Sequence, residues 1–302
     1  MARSRFIKDT GLTVRMTSVM FLLGALFVAL VVTLMYFFSG YAPIIAVVAI
    51  GFAFYQWWSS DKMAMRAMRA REVTPEEAPE LHGMIDRLCA LADMPKPRVG
   101  VADMALPNAF ATGRSPDRSV VCVTTGILDV LDAEELEAVL AHELSHVAHR
   151  DVLVMTLASS AGILAGMLTR GAQFGGISRA GRGNNGALPA LLVALVVSLV
   201  VYAVSFVLLR LLSRYRELCA DRSAAYLTMK PQALASALTK ISGGVGAIPQ
   251  KDLRANSAVN SLFIVPAVAG VSLKTLTATH PSLEQRLGQL ARIQAELGRP
   301  IS

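Results

Sequence analysis

Long uncharged apolar runs alternate with shorter amphipathic ones along this chain. Thr17 to Phe38 is a run of 22 residues without a charge, long enough to cross a bilayer. Ser39-Gly40-Tyr41 follows as a tight turn, and Ala42 to Trp58 is a second run, so the pair predicts a helical hairpin. Trp57 and Trp58 suit a membrane interface. Ala187 to Leu209 is the most apolar stretch and predicts another transmembrane helix, with Arg210 snorkelling at its end. Val152 to Thr169 is uncharged but diluted by Ser, Thr and Gly, and counts as a fourth span. A signal peptide does not fit the first run: its apolar core is too long and no small-residue cleavage site follows.

Between these runs the periods are those of a folded domain. Met63 to Arg71 reads as a basic helix leaving the membrane. Thr74-Pro-Glu-Glu77 predicts a helix start, with Leu81, Ile85, Leu88 and Cys89 at helical spacing and Pro95 and Pro97 as stops. Arg98 to Asp103, Ala109 to Gly113 and Ser119 to Thr124 read as short strands, the last two joined by a Ser115-Pro-Asp turn. Asp132 and Glu135 predict a capping box for a helix from Ala133, with an apolar stripe of Leu136, Val139, Leu140, Leu144 and Val147. That helical pattern continues past Asp151. Arg170 to Gly186 is a Gly/Arg/Asn-rich loop. Leu283, Leu287, Leu290 and Ile293 mark an amphipathic C-terminal helix after a His280-Pro turn.

The pattern predicts a mainly α integral membrane protein with about four transmembrane helices and a cytoplasmic domain containing a small β-sheet. Four segments follow: an N-terminal transmembrane hairpin (1–60), the first part of the domain (61–151), a second membrane hairpin (152–212) and the second part of the domain (213–302).

Composition agrees. With 54% hydrophobic and 17% charged residues and a mean hydropathy of +0.50, the chain is too apolar for an ordinary soluble protein. The net charge of +7 is concentrated at the flanks of the runs. Arg3, Arg5, Lys8 and Arg15 precede the first hairpin, and Lys62, Arg66, Arg69 and Arg71 follow it, which places both ends in the cytoplasm. Arg170, Arg179 and Arg182 argue the other way for the second hairpin, but Arg150, Arg210, Arg214 and Arg216 outweigh them. No aromatic-rich basic groove points to nucleic acid. Three scattered cysteines (Cys89, Cys122, Cys219) without a C-x-x-C exclude a cysteine metal site and suit a reducing compartment.

Three of the five histidines fall in the Ala133 helix. His142-Glu143-Leu144-Ser145-His146 places two imidazoles one turn apart on one face, able to share a zinc ion, with Glu143 beside them to act on a water. The third ligand is expected from Glu217, which shares a helix face with Asp221. The His pair lies about eight residues before Val152, about 12 Å along a helix, and Glu217 about five residues after Leu212, about 8 Å. On antiparallel helices they stand at similar heights. Two His and one Glu leave the fourth tetrahedral position open for water, as in catalytic zinc sites. His82 reads as a surface or packing residue, and His149 as a packing residue or one that backs a ligand without binding the ion. Asp221 is placed to orient a ligand imidazole through its other ring nitrogen, and Asp151 either does the same or caps the helix. Asn108 and its neighbours would form an edge strand on which an extended substrate could pair.

His142-Glu-x-x-His146, Asp151 five residues on, Glu217-x-x-x-Asp221, Pro107-Asn-Ala-Phe-Ala-Thr-Gly113 and His280-Pro-Ser-Leu-Glu-Gln-Arg286 together resemble the HtpX-type membrane zinc metalloproteases, relatives of the CaaX prenyl proteases, over nearly the full chain. The resemblance implies a gluzincin-type endopeptidase with one Zn²⁺ per chain. It implies a multi-pass protein of the bacterial cytoplasmic (inner) membrane, its site facing the cytoplasm. The implied substrates are misfolded or damaged membrane proteins and unfolded polypeptides, within stress-response quality control. It also implies that His280 donates to the developing oxyanion, with Arg286 near it.

Three rivals are weaker. A catalytically silent zinc scaffold has no use for Glu143. A transporter needs an ionisable residue within its spans, and these runs hold none. A prenyl-protein protease would need more apolar runs to enclose a lipid chain.

Overall fold

The first two apolar runs form α1 (Thr10–Phe37) and α2 (Ala42–Trp58). The computed structural model describes residues 10–37, 40, 42–151, 187–247 and 280–298. α3 (Ser60–Ala67) and β1 (Ala70–Glu72) come next, then α4 (Pro79–Ala92), β2 (Arg98–Ala102), β3 (Ala109–Ser115) and β4 (Arg118–Thr124). The described elements end with α5 (Thr125–Val130), α6 (Ala133–Ala148), α7 (Ala187–Thr228), α8 (Pro231–Ala247) and α9 (Leu283–Leu297). Among the described residues two helical stretches, Thr10–Tyr36 and Leu192–Thr228, are long and apolar enough to cross a membrane, or three if the bent pair α2 and α3 counts as one span. The expected span 152–169 and the Gly/Arg loop after it lie outside the described residues.

The described residues fall into two units. Those of Thr13–Ser59 and Val154–Leu212 make one. In it Leu30 and Leu34 of α1 pack on Ala194 and Val201 of α7, with Ile45 of α2 alongside. Its outer surface is apolar: Phe21, Val28, Ile44, Val47 and Ile50 are all exposed. Water would penalise a patch of that size, whereas lipid does not.

The start of the chain to Leu12, with Ser60–Leu153 and Ser213–Ser302, makes the other unit. It is built on a four-stranded sheet of order β1-β2-β4-β3, in which β2 and β4 are parallel and the outer pairs antiparallel. The β-branched run of β4 (Val120, Val121, Val123) fills the centre. Val121 and Val123 join Ile85 and Leu88 of α4, Ile127 of α5, Val139, Leu140 and Leu144 of α6, Leu234 and Leu238 of α8, and Leu290 and Ile293 of α9 in one core. Each such side chain contributes about 1.5–3 kcal/mol by leaving water. β3 lies at the edge of the sheet.

Three local expectations are corrected, and one short helix is added. The helix expected from Thr74 begins at Pro79; Thr74 to Ala78 is a turn in which Glu77 accepts from the Thr74 N–H. A helix running from Pro75 would drive the Pro79 ring into the carbonyl four residues back. The segment to Arg71 leaves helix at Ala67 and becomes β1, an edge strand whose Arg71 and Glu72 are exposed. α5 is too short, at six residues, to show a period in the sequence. The Ala133 helix stops at Ala148 instead of continuing through Asp151, because Arg150 takes a left-handed φ of 58°.

Candidate metal centre

α6 starts as the sequence predicts, with Asp132 and Glu135 in a reciprocal capping box. Glu135 has a second use: Ser236 and Lys240 of α8 donate to its carboxylate at 2.6 and 2.7 Å. That fixes α8 against α6, which carries His142, Glu143 and His146, all buried. The break at Arg150 then matters to the site. On an unbroken helix Asp151 would point about 140° away from His146. The left-handed residue turns the chain back, and Asp151 Oδ2 lies 2.8 Å from His146 Nδ1.

α7 faces α6 with Glu217 and Asp221, one turn apart and buried. His142, His146 and Glu217 each offer one donor atom within 4.8 Å of the others. The two Nε2 atoms are 3.3 Å apart, His142 Nε2 is 3.4 Å from Glu217 Oε2, and His146 Nε2 is 3.6 Å from Glu217 Oε1. Atoms 2.0–2.1 Å from a tetrahedral zinc ion stand about 3.4 Å apart. The donor set therefore fits a zinc ion with one position left over.

Each imidazole is backed by a carboxylate, and each carboxylate by an arginine. Asp221 Oδ1 lies 2.9 Å from His142 Nδ1, and Arg286 of α9 donates to both Asp221 oxygens at 2.7 and 2.6 Å. On the other side Asp151 meets His146, and Arg216 Nε is 3.0 Å from Asp151 Oδ2. The sequence singled out Asp221, Asp151 and Arg286 but not Arg216, which reads there as one more basic flank. Nothing in the linear pattern separates it from Arg214 beside it; only the fold brings it to Asp151.

Glu143 is the third buried carboxyl here. Burial pushes it up to about 7, with Glu217 adding to the rise and His142 and the Ala111 N–H opposing it. Ala111 belongs to the edge strand. Thr124 N donates to Asn108 O at 2.9 Å, so by antiparallel alternation 108, 110 and 112 bond to β4 while Ala109, Ala111 and Gly113 turn their backbone groups outward. Asn108 stands buried immediately before this strand. Gly113 has a φ of 149°, and a Cβ there would meet Arg118 O at 2.5 Å; the glycine lets β3 close on β4 at the bulge. His280 is buried with Nδ1 3.3 Å from Glu217 Oε2, and among the described residues its Nε2 has no hydrogen-bond partner. Ser282, two residues on, caps α9 and so fixes Arg286 relative to His280. His149 caps α6, its Nδ1 2.8 Å from Ser145 O, and His82 lies 3.0 Å from Val73 O.

Residues 75–294 match the family described as Peptidase family M48. "Protease HtpX homolog 1" of Streptomyces coelicolor is 54% identical over 297 residues, covering 98% of this chain and 97% of its own. "Protease HtpX homolog" of Moorella thermoacetica is 47% identical over 300 residues, 98% of each. Among solved structures, that of S. mikatae Ste24p matches with a TM-score of 0.52 at 16% identity, over 88% of this chain and 62% of that one. That last likeness is one of fold.

Proposed function

This chain belongs to peptidase family M48, among the HtpX proteases, and from that premise we propose that it is a zinc endopeptidase of the bacterial cytoplasmic membrane that cleaves misfolded or damaged membrane proteins and unfolded polypeptides on the cytoplasmic side. That it is a membrane metalloprotease follows from the family, from relatives matched end to end, and from the apolar helices. A four-span topology with the site in the cytoplasm is supported by the basic residues flanking the apolar runs. One observation carries the mechanism: the buried His142, His146 and Glu217 bring converging donor atoms together, beside a buried glutamate that meets the Ala111 N–H of the strand at the edge of the described sheet.

His142, His146 and Glu217 would hold the ion. When bound, zinc supplies a Lewis acid that polarises the scissile carbonyl and lowers the pKa of a water toward about 7. Asp221 and Asp151 hold the two imidazoles with Nε2 facing inward. The outward backbone groups of Ala109, Ala111 and Gly113 take an extended substrate as an added strand, which binds main chain and tolerates many sequences. Glu143 accepts the proton of the attacking water and passes it to the leaving amine. His280 Nε2 donates to the carbonyl oxygen as charge builds there.

The test uses the purified full chain and an unfolded membrane-protein substrate. Glu143→Gln should bind one zinc per chain and lose about 10²–10⁴-fold in rate. Chelator-sensitive cleavage at the wild-type rate would sink the assignment of the base. Wild-type zinc affinity in Glu217→Ala would remove Glu217 from the ligand set.

A further inference from the structure

A small cleft lies between the end of β3 (Gly113, Arg114, Ser115) and the last turn of α6 (His146, Val147), with Arg150 at its rim. His146 is one of the three converging donors, so the cleft opens beside the reacting centre. Gly113 is two residues along the edge strand from Ala111, whose N–H faces Glu143. That is about 7 Å of strand. A substrate strand paired to β3, with its scissile bond at Glu143, puts the side chain one or two residues away into this cleft.

The lining residues include Arg114 and Arg150 and, among the described residues, no Asp or Glu, and the proposal rests on Arg150. Asp151, next in the chain to Arg150, is buried and held by His146 and Arg216. Asp117 is exposed in the β3–β4 turn and is not part of the lining. Arg150 itself is exposed. Arginine forks match carboxylates in shape as well as charge.

We propose that this cleft is a substrate subsite for a carboxylate, either an Asp or Glu side chain or the free C-terminus of a substrate chain, one or two residues from the scissile bond. The proposal rests on the protease reading above and adds a preference that the edge strand alone, which binds main chain, does not supply.

The experiment uses the full-length zinc-loaded protein in detergent. Matched fluorogenic peptides carry Glu or Gln at each of the two positions on either side of the cleaved bond. A second pair ends, one or two residues past the bond, in a free carboxylate or an amide. The acidic member of one pair should be favoured about five- to tenfold in kcat/KM, mainly through KM, as expected for a partly exposed charge-assisted contact. Which pair responds identifies the side chain or the chain end as the source. Arg150→Gly is suited to the test because glycine adopts the φ of 58° freely. It should bring the ratio toward one, and Arg150→Glu should favour Lys at the same position. A ratio is read within one preparation, so partial misfolding cancels.

Ratios near one at every position, or a preference that survives both Arg150 variants, overturn the subsite. So do ratios near one combined with slowing of every peptide by anionic but not zwitterionic lipid, which would give the cleft to a headgroup. If the Gln peptides are cut and no ratio departs from one, the subsite alone fails. If no peptide is cut, the protease reading fails with it.

Discussion

Replacing Asp221 with Asn should damage stability and metal binding separately, and a second substitution should repair only the first. Asp221 has no exposed surface and Arg286 is 2% exposed. The two make a bidentate pair, and Asp221 also holds His142 Nδ1 at 2.9 Å. Asp221→Asn keeps the volume but takes from the buried Arg286 its bidentate carboxylate, which costs about 3–5 kcal/mol. It also removes the carboxylate behind His142, a loss that lowers metal affinity by about 10–100-fold. Asp221→Leu with Arg286→Met removes both buried charges, and such apolar replacements are often neutral. The double variant should therefore recover most of the metal-free stability while zinc affinity stays low. Urea unfolding of metal-free protein in detergent reads the first quantity, and competition with a chelator reads the second. Wild-type zinc affinity in the double variant would refute the reasoning: Asp221 would then serve only to neutralise Arg286. An unchanged urea midpoint for Asp221→Asn would refute the burial argument. Asp151→Asn is the internal comparison. Its partner Arg216 is 11% exposed at the side chain and can regain some water, so the same affinity loss should come with a smaller stability loss.

Other outcomes follow from residues farther from the ligands. Burial opposes ionisation of Glu135, but Lys240, Ser236 and the Asp132 N–H outweigh it and hold its carboxyl below the ordinary 4.5. A lowered folded-state value means that its contribution is full above the unfolded value and is lost as pH falls through the folded one. Acid unfolding below about pH 4.5 should accordingly be shallower in Glu135→Gln, and an unchanged slope would show that the α6–α8 link is not ionic. At neutral pH Glu135→Ala should cost about 2–4 kcal/mol in the urea midpoint, from the cap and the charged hydrogen bonds together. Gly113→Ala places a Cβ 2.5 Å from Arg118 O, so the β3–β4 closure must shift. Peptide kcat/KM should fall with zinc stoichiometry unchanged, and undiminished cleavage would mean that substrate does not use this edge.

Much of this was legible in the sequence because it was local or repeated. The capping box at Asp132, the β-branched run of β4 and the apolar spacing of α4 each declare themselves within one element. Glu217 was reachable because the apolar runs supplied a common ruler for two distant helices. Arg216 was not, since its meaning lies in Asp151, 65 residues earlier, and an arginine at the end of an apolar run already has an ordinary explanation. The stop at Ala148 was also hidden. Gly or Asn would have announced a left-handed residue, whereas here Arg150 adopts one. The late start of α4 could have been read from Pro79, but the capping pattern at Thr74 is locally sound and drew the boundary four residues early.

The two arginine-backed imidazoles have a consequence for synthesis. His146 and Asp151 are neighbours in sequence, so their pair can form as soon as α6 leaves the ribosome. The opposite arm waits for Glu217, Asp221 and then Arg286, the last of them 144 residues after His142 by the numbering. Until Glu217 is made, 71 residues after His146 by the numbering, a growing chain carries both histidines and Glu143 without the third donor. The order of the residues therefore delays metal binding until α7 has closed on α6 and completed the donor set.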